Sequence, residues 1–440
     1  MNTPSSSDRD LSQTYFSATA SGPIDRPPLT ESISADVCII GAGFTGLSTA
    51  LHLVERGVSV VVLEAQHIGS GASGRGGGLL IHSLESELDE IEARYGDALA
   101  SQLGKWAFTG SGVIRGWMEK YAIECGFHQG VFFAASNDRQ LNRLAEKERL
   151  WRRFGYRELE LIGADTLPQY ANSERFMGGL VDHGAGQLHP LNLALGEAQA
   201  IESQGGRIFT HSPVDTYSLV NSELSRHNDQ HVKIHTPKGC VTANTVVMAC
   251  NASEIPLLPE LSGFTLPSPS GVVVTEPLSS TLIDSLLPQQ YGVEDANYDL
   301  DYFRLTEDHR LLYGGGLSYG ENSVSGSKGT IIKRIFNTFP QLETVEMDYA
   351  WTGQGIVTQN RLPCVGSFNS HVFYALACGH GITLPHTLGC IMAQCLIGET
   401  SGFKTFSGID HRPFPGGKRF QAPLSQIGMA YLRLRDHLGL

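Results

Sequence analysis

The chain has 440 residues, 50 of them glycine, and a formal net charge of -13. The length predicts two domains with separate cores, and the negative charge argues against nucleic acid and anionic membrane as partners. No segment approaches the run of about 20 apolar residues that a membrane span needs, and the polar N-terminus lacks the pattern of a signal peptide, so we expect a cytoplasmic protein.

The first predicted elements form a β-turn-α-β unit. Residues 1–30 are rich in Ser, Thr, Pro and Asp, which predicts a flexible or surface-draped arm. Residues 35–40 are an apolar run of strand length, and residues 58–63 are a second, β-branched strand. Between them, residues 47–56 carry apolar side chains at helical spacing and end at Gly57, a good helix stop.

The rest of the chain mixes helices with short strands. Patterns typical of helices cover residues 84–121, 138–154, 190–204 and 384–397. Short strands are predicted at residues 207–209, 231–235 and 245–249, with further strands between residues 271 and 316. The fold class is therefore predicted as α/β, with a Rossmann-type nucleotide domain built from discontinuous segments and a second domain with an antiparallel sheet.

A glycine-rich turn joins the first strand to the first helix. It reads Gly41-Ala42-Gly43-Phe44-Thr45-Gly46, a G-x-G-x-x-G, and Glu64 ends the next strand about 20 residues later. Gly41 makes the tight turn, Gly43 lets the backbone approach a pyrophosphate, and Gly46 lets the helix pack on the strand. The helix N-terminus attracts phosphate. Glu64 would accept hydrogen bonds from ribose hydroxyls and repel the 2′-phosphate of NADP.

NAD and FAD share this fingerprint, and three further glycine-rich segments favour FAD. Residues 69–78, GSGASGRGGG, follow the acidic strand end, where a longer dinucleotide needs further backbone contacts; a flexible surface loop is the alternative. Residues 351–366 contain WTG and LPCVG, and residues 378–383, CGHGIT, lead into the last predicted helix. A helix N-terminus at that place would stabilise negative charge on a reduced ring.

Together these motifs resemble the D-amino-acid-oxidase-like family of FAD oxidoreductases. The likeness runs from about Ile33 to the C-terminus and includes the longer strings HIGSGASGR, HPLNLALGEA, VEDANYDLDYFRLT and LRDHLG. With it we predict an FAD-binding domain of residues 31–84, 185–262 and 346–402, a substrate domain of residues 85–184 and 263–345, and a C-terminal extension of residues 403–440.

The resemblance implies FAD that is bound without a covalent link. It implies that the backbone of Val214 contacts the adenine end, that residues 72–77 line the flavin ring, and that residues 379–383 approach its pyrimidine side. The residues expected to bind FAD are Gly41, Gly43, Phe44, Thr45, Gly46, Glu64, Ala65, Gly71, Ala72, Ser73, Gly74, Arg75, Gly76, Gly77, Val214, Cys250, Gly353, Gly379, His380, Gly381, Ile382 and Thr383.

Four side chains are expected to act in catalysis. His380 would hold the anionic form of the flavin or touch substrate, with a helix-capping role as the alternative. Trp351 and Tyr302 would line the pocket, although Trp351 is equally suited to the core. Arg304 would bind a substrate carboxylate in a fork; the alternative is that it pairs with an acid such as Asp301 and holds its strand.

A group of acidic residues lies close in sequence to Tyr302 and Arg304. Its members are Glu294, Asp295, Asp299 and Asp301. A solvated loop is the default interpretation of such a cluster, and a patch that recognises an amine is the alternative.

The cysteines and the remaining motifs predict no metal. The eight cysteines are scattered without a C-x-x-C pair, which favours buried thiols in a reducing compartment. No metal-ligand spacing, Ser/His/Asp arrangement or P-loop is visible in the sequence.

The reaction that the resemblance implies is the oxidation of an amine flanked by a polar or acidic group, such as a gamma-glutamylated diamine. Hydride would pass to flavin N5, the imine would hydrolyse to an aldehyde, and dioxygen would be reduced to hydrogen peroxide. An oxidase is favoured over a dehydrogenase with another electron acceptor. The alternatives are an enzyme for a different amine or amino acid, and a flavin-binding subunit without its own turnover. The sequence differs from the usual sequence of the family at Gly76, at Cys250 and at residues 354–360.

Overall fold

Two β-sheets with helices packed on them make up the part of the chain that the computed structural model describes, namely residues 14–82, 84, 86–221, 230–250, 257–261, 263–316, 324–376, 381–416 and 420–438. In chain order the strands are β1 (Ser32–Ile40), β2 (Val60–Leu63), β3 (Leu79–Leu80), β4 (His128–Ala135), β5 (Leu159–Ile162), β6 (Gly178–Gln187), β7 (Arg207–Phe209), β8 (Thr216–Asn221), β9 (Gln230–His235), β10 (Cys240–Met248), β11 (Thr265–Thr275), β12 (Gly292–Asp295), β13 (Asp301–Leu305), β14 (Leu311–Gly316), β15 (Met347–Thr358), β16 (Cys364–Ser367) and β17 (Val372–Leu376).

The helices cover both sheets. They are α1 (Tyr15–Ala18), α2 (Phe44–Val54), α3 (Leu88–Tyr95), α4 (Asp97–Ala107), α5 (Thr109–Lys120), α6 (Asp138–Arg153), α7 (Pro190–Ser203), α8 (Ser280–Leu286), α9 (Val324–Thr338), α10 (Thr383–Leu396), α11 (Ser401–Ser407) and α12 (Gln421–His437). Among the described helices, none combines the length and apolarity that a membrane crossing requires.

The first sheet is built around the predicted β-turn-α-β unit. Its strand order is β16-β17-β10-β1-β2-β7, and β1 pairs in parallel with β2 on one side and β10 on the other. The first half of β10 also pairs with β9, which carries β8 at the edge. Every residue of β2 is buried, as expected for a parallel strand covered on both faces. The predicted unit is confirmed, except that α2 begins at Phe44 because Gly43 caps it directly after the turn.

The second sheet is mostly antiparallel and supplies the other wall of the site. Its order is β15-β11-β14-β13-β12-β4-β6-β3, with β5 paired to β6, and the β12–β4 pair runs parallel. A parallel sheet joined to an antiparallel one in this way confirms the predicted α/β fold class.

The strand pairing departs from the predicted domain limits at one place. The sequence predicts residues 346–402 in the FAD-binding domain, yet β15 pairs along its length with β11, from Thr358 opposite Thr265 to Met347 opposite Thr275. Gly353 of the WTG motif was expected to bind FAD. It lies in a strand of the second sheet, where a missing side chain lets the backbone face the cavity. The other domain limits stay a prediction.

Residues 14–30 of the predicted flexible arm are packed on the body of the protein. Phe16 and Leu29 are fully buried, and the Tyr15 hydroxyl donates a hydrogen bond to Asp308 Oδ1 at 2.6 Å. The Phe16 ring meets the Trp351 ring edge-on, with ring centres 5.4 Å apart. The polar composition hid these aromatic anchors, whose burial outweighs the cost of ordering the segment. Residues 1–13 of the arm lie outside the described part.

The predicted C-terminal extension contains the long helix α12. Asp436 near its end accepts hydrogen bonds from the backbone N–H groups of Tyr298 and Asp299, at 2.9 and 2.8 Å. These bonds dock α12 beside the segment between β12 and β13, so the helix closes one side of the cavity described below.

Candidate active site

A cavity of about 1480 Å³ lies between the two sheets. The turn after β1, the segment after β2 and the start of α10 line it from the side of the parallel sheet. Strands β11 to β15, helix α6 and helix α12 line it from the other side. The volume exceeds the roughly 300–1,000 Å³ that ordinary ligand pockets offer, so the cavity has room for a dinucleotide together with a substrate.

The fingerprint turn has the geometry that its sequence predicts. Gly41 has a φ of +108°, and a Cβ there would lie 2.8 Å from the Ala249 carbonyl oxygen. A Cβ at Gly46 would lie 1.9 Å from the Gly41 oxygen, so only glycine lets the helix sit this close to the strand. Gly43 lines the cavity at the N-terminus of α2, and the N-terminus of a helix attracts a phosphate.

Glu64 ties the fingerprint turn to the segment that follows β2. Its Oε2 accepts from the Ala42 N–H at 2.9 Å, and its Oε1 accepts from the Gln66 N–H at 2.9 Å and the Ser70 hydroxyl at 3.2 Å. The carboxylate lines the cavity. Its predicted contact with ribose hydroxyls stays a prediction.

Four of the six glycines in residues 69–78 show two different kinds of surroundings. A Cβ at Gly77 would lie 2.2 Å from the Tyr302 ring, and a Cβ at Gly78 would lie 2.2 Å from the Leu188 oxygen, so these two serve internal packing. A Cβ at Gly71 would meet no atom within 4 Å, and one at Gly76 would meet only the Ala72 oxygen at 3.6 Å. These two glycines line the cavity with their backbone.

Most of the predicted FAD-binding residues line this one cavity. They are Gly41, Gly43, Phe44, Thr45, Glu64, Ala65, Gly71, Ala72, Ser73, Arg75, Gly76, Gly77, Cys250, Gly353, Gly381 and Ile382. Four others are described and do not line the cavity: Gly46, Gly74, Val214 and Thr383. Gly379 and His380 lie outside the described residues.

Trp351 stands behind the cavity wall. It is 1% exposed, and its indole N–H donates to the Arg75 carbonyl oxygen at 2.8 Å. The Arg75 Nε in turn donates to the Thr352 oxygen at 2.9 Å. These two hydrogen bonds hold the glycine-rich segment against β15. The sequence analysis expected Trp351 to line the pocket or to belong to the core, and the structure places it in the core behind the wall.

Arg304 differs from both of its predicted roles. Its guanidinium donates to three backbone carbonyl oxygens, of Gly77 at 2.6 Å, Leu188 at 2.9 Å and Leu305 at 3.1 Å. The side chain is 4% exposed and does not line the cavity. The predicted fork to a substrate carboxylate is therefore not available in this structure, since these carbonyls already occupy the fork, and the ion pair with Asp301 is not formed either.

Tyr302 is the predicted catalytic side chain that does line the cavity. Its ring lies between Gly77 and Gly314, where a Cβ on either would come within 2.2 Å of a ring carbon. Burial raises the pKa of the phenol well above its ordinary value, with the nearby Glu294 acting in the same direction. Tyr302 is therefore a neutral hydroxyl held in a fixed slot on the cavity wall.

The acidic group is not a solvated loop, since Glu294, Asp295 and Asp299 line the cavity, and its role as a patch that recognises an amine stays a prediction. Asp295 and Asp301 are buried and form ion pairs with Arg175. Asp299 pairs with Arg334 at 2.6 Å and with Arg433 of α12 at 2.8 Å. Glu294, the remaining member, lines the cavity.

The sequence analysis missed two elements that contribute to the cavity. Arg143 and Lys147 of α6 line it, as do Leu424 and Met429 of α12. The amphipathic pattern of residues 138–154 predicted α6 as a helix, but only the tertiary structure shows which face meets the cavity. No signal in the sequence separated α12 from a surface extension.

The residues present fit FAD. The cavity passes from the fingerprint turn and the N-terminus of α2, past the open backbone at Gly71 and Gly76, to the Tyr302 wall. A phosphate site and a channel without side chains lead to a wall that carries Tyr302 and Glu294, which is the sequence of features that an extended dinucleotide and a substrate require.

The described residues hold one group of side chains that could bind a metal, and it lies away from the cavity. Asp25 Oδ1 is 2.5 Å from His67 Nδ1 and 2.8 Å from His211 Nε2. Hydrogen bonds from the two imidazoles to one carboxylate account for this arrangement. The absence of a metal from the reaction stays a prediction.

Comparisons with known proteins agree with this geometry. A family model described as FAD dependent oxidoreductase (DAO) matches residues 36–395. The chain is 42% identical to a gamma-glutamylputrescine oxidoreductase of Escherichia coli (strain K12) over 428 residues, which cover 97% of this chain and 98% of that protein. It is 36% identical to a probable oxidoreductase OrdL of Haemophilus influenzae, with 93% and 94% of the two chains covered.

Solved structures with the same fold share much less sequence. Glycine oxidase from Geobacillus kaustophilus has a TM-score of 0.66 at 22% identity, with 84% of this chain and 96% of that chain covered. L-proline dehydrogenase from P. horikoshii has a TM-score of 0.68 at 18% identity, with 86% and 99% covered. At these identities the likeness establishes the fold alone.

Proposed function

Because the chain belongs to the DAO family of FAD-dependent oxidoreductases, we propose that it is an amine oxidase that acts on gamma-glutamylputrescine or a close analogue. The observation that carries this proposal is the single cavity, which joins the dinucleotide fingerprint to a wall made by β12 and β13. The identity of 42% to a gamma-glutamylputrescine oxidoreductase over nearly the whole chain supports the substrate class.

When bound, FAD would supply the oxidant, taking two electrons and a proton from the C–H bond of the amine and passing the electrons on to dioxygen, which becomes hydrogen peroxide. The amine becomes an imine, which water then hydrolyses to an aldehyde and ammonia. Dioxygen as the acceptor, in place of a quinone or a protein, is part of the proposal.

The protein's own part in this reaction is to bind, orient and desolvate. The backbone at Gly71 and Gly76 leaves room for the cofactor, and the N-terminus of α2 offers N–H groups to its phosphates. The rigid Tyr302 ring limits where the reacting carbon can lie. Helices α6 and α12 separate the inner cavity from bulk water.

We propose that the cofactor is held without a covalent bond. Cys250 is the cysteine among the described cavity-lining residues. Burial and the nearby Glu64 raise the pKa of its thiol to about 12, so it stays protonated and is a poor nucleophile near neutral pH. The predicted cytoplasmic location likewise stays a proposal.

The test of the proposed function uses the purified protein. We expect a yellow protein that releases FAD on denaturation and whose flavin is bleached by gamma-glutamylputrescine without oxygen. Air should restore the colour and yield hydrogen peroxide. Bleaching without peroxide would replace the oxidase by a dehydrogenase. A flavin that no amine or amino acid bleaches, although dithionite does, would favour a flavin-binding subunit without turnover.

A further inference from the structure

Glu294 occupies a distinctive place on the wall of the cavity. It lies on β12 directly opposite Tyr302 of β13, and both side chains line the cavity. Residues paired across neighbouring strands point to the same face of a sheet, with Cβ atoms about 4.5–5.5 Å apart. Because the Tyr302 ring packs on Gly77, the Glu294 carboxylate lies next to the segment expected to line the flavin ring.

The carboxylate of Glu294 has no hydrogen-bond donor among the residues that the structure describes. Its acidic neighbours differ in this respect, since Asp295, Asp299 and Asp301 are each held by arginine. Glu294 is half-buried, and a carboxylate that is partly removed from water and left without a donor is costly. A ligand that carries donors would remove that cost.

The cations near Glu294 are engaged elsewhere. Lys147 of α6 forms an ion pair with Glu87 at 3.0 Å, and its ammonium lies 4.9 Å from the ring centres of Phe133 and Trp151. Arg143 of α6 donates to the Ala296 carbonyl oxygen.

Arg304, two positions after Tyr302 on β13, points its guanidinium into backbone carbonyls behind the wall. The inner wall beside Tyr302 therefore presents a carboxylate where recognition of an amino acid would call for a cation.

We propose that Glu294 binds the protonated amine of the substrate and excludes molecules that carry a carboxylate on the reacting carbon. This inference rests on the proposed function and adds the basis of its specificity. A primary ammonium group offers three donors to the carboxylate, whereas an α-carboxylate would meet it with like charge. The site thereby selects a simple amine over the corresponding amino acid.

The same residue prepares the amine for oxidation. The substrate nitrogen must be neutral before the neighbouring C–H bond is broken, so a proton moves from the ammonium nitrogen to a Glu294 oxygen, with no change in oxidation state. Burial raises the pKa of Glu294 to about 7, with Lys147 acting against it and Glu87 with it. A base with this pKa is suited to accept a proton near neutral pH.

Two probes test the selectivity directly. One is gamma-glutamylputrescine, and the other is Nδ-(gamma-glutamyl)ornithine, which is the same molecule with a carboxylate on the carbon that bears the reacting amine. We expect the unaltered holoenzyme to favour the first in kcat/KM by about 100-fold or more. Selectivity of less than about threefold would overturn the proposal whether or not any variant folds.

The variant Glu294→Gln removes the charge and keeps the shape. We expect kcat/KM for gamma-glutamylputrescine to fall by about 30-fold and the selectivity to narrow by about tenfold, with FAD content unchanged. Glu294→Asp should retain most of the selectivity because it keeps the charge. The matched control is Glu119→Gln, an exposed carboxylate on α5, which should leave both ratios as they are.

The pH profile supplies a readout that a structural role would not change. In the unaltered enzyme kcat/KM should rise with pH through about 7, as Glu294 ionises, and Glu294→Gln should abolish that rise. If gamma-glutamylputrescine bleaches the flavin of the unaltered enzyme and of Glu294→Gln equally well, the role of Glu294 is wrong and the proposed function stands. If neither probe bleaches the flavin of the unaltered enzyme, the proposed function and the role of Glu294 are both wrong.

Discussion

Arg304 stabilises the wall of the cavity from behind by donating hydrogen bonds to backbone carbonyl oxygens. Its guanidinium reaches carbonyl oxygens from three separate segments, at Gly77, Leu188 and Leu305. Burial lowers its pKa to about 10, which still leaves it charged at neutral pH. A planar group with donors in several directions can satisfy three carbonyls at once, and a single ammonium nitrogen cannot.

We therefore expect Arg304→Lys to act on stability and not on substrate binding. The free energy of unfolding should fall by about 2–4 kcal/mol, because buried carbonyls lose charge-assisted donors. The KM for gamma-glutamylputrescine should stay within about twofold of its original value. Urea unfolding and steady-state kinetics measure the two quantities. Arg412→Lys, an exposed side chain outside the cavity, is the control, and a raised KM at full stability would restore Arg304 as a substrate anchor.

The sequence predicts the role of some single residues and not of others. Gly41, Gly43 and Gly46 were found because their roles depend on spacing within six residues, and their geometry is local. The partners of Arg304 are 227 and 116 positions away, at Gly77 and Leu188. No pattern within one segment indicates such a contact, so a conventional fork to a carboxylate was the natural hypothesis.

At the scale of elements, α7 and α10 are joined by a fully buried pair. His386 Nε2 lies 2.5 Å from Glu197 Oε1, and both side chains are 0% exposed. His386 Nδ1 lies 2.6 Å from the Ile382 oxygen, at the first turn of α10, which faces the cavity. The His386 ring also packs near Phe44 at the start of α2, with ring centres 5.1 Å apart. The pair thus fixes the start of α10 relative to the fingerprint helix.

Removing one partner of this pair should cost more than removing both. We expect Glu197→Leu or His386→Leu alone to lower the free energy of unfolding by about 3–5 kcal/mol, because each leaves a buried polar group unpaired. The double variant should recover part of that loss. Urea denaturation of the four proteins forms a double-mutant cycle. Additive losses would show that the two side chains do not interact.

The periodicity of apolar residues predicted most helices and strands. It failed where the composition of a segment was typical of a loop although the segment forms a strand or a helix. The strand at Arg207–Phe209 and the helix at Asp138–Arg153 agree with prediction to within a residue or so, because their apolar spacing is regular. The strand Met347–Thr358 was hidden by its glycines, which are unusual inside a strand. Helix α1 was hidden by the polar residues around Tyr15 and Phe16.

For the molecule as a whole, burial shifts the pKa values of several thiols and of a phenol in the same direction. Burial raises the pKa of the Cys125 thiol, the Cys364 thiol and the Tyr15 phenol, each to about 12. A group whose pKa is raised on folding contributes its full stability below the unfolded value, which is 9.0 for these thiols and 10.0 for the phenol. That contribution is lost as the pH rises through the folded value.

The protein should therefore lose stability steadily above about pH 9, by about 1.4 kcal/mol per pH unit for each such group. Urea midpoints at about pH 7.5 and about pH 10.5 measure the effect. Cys364→Ala should flatten the pH dependence even though it lowers the stability at neutral pH. Equal midpoints at both pH values would contradict the linkage.

The overall architecture was predictable because one local unit implies a large part of it. A β-turn-α-β unit with the fingerprint requires a parallel sheet and a dinucleotide crevice, and both sheets were expected. The contribution of α12 and α6 to the cavity depends on docking contacts such as those of Asp436 with the Tyr298 and Asp299 backbone. Such contacts follow from the finished structure and not from any segment.

The pairing of β1 with β10 has a consequence for synthesis on the ribosome. Residues 32–40 form the centre of the parallel sheet, but their partner, residues 240–248, emerges about 200 residues later. At about 5–20 residues per second, β1 waits roughly 10–40 s with one edge unpaired. The start of α10 at Thr383 appears later still. The nascent chain therefore carries an open, apolar strand edge for almost half of its translation, and a cofactor can be fully enclosed only once roughly the last eighth of the chain is being made.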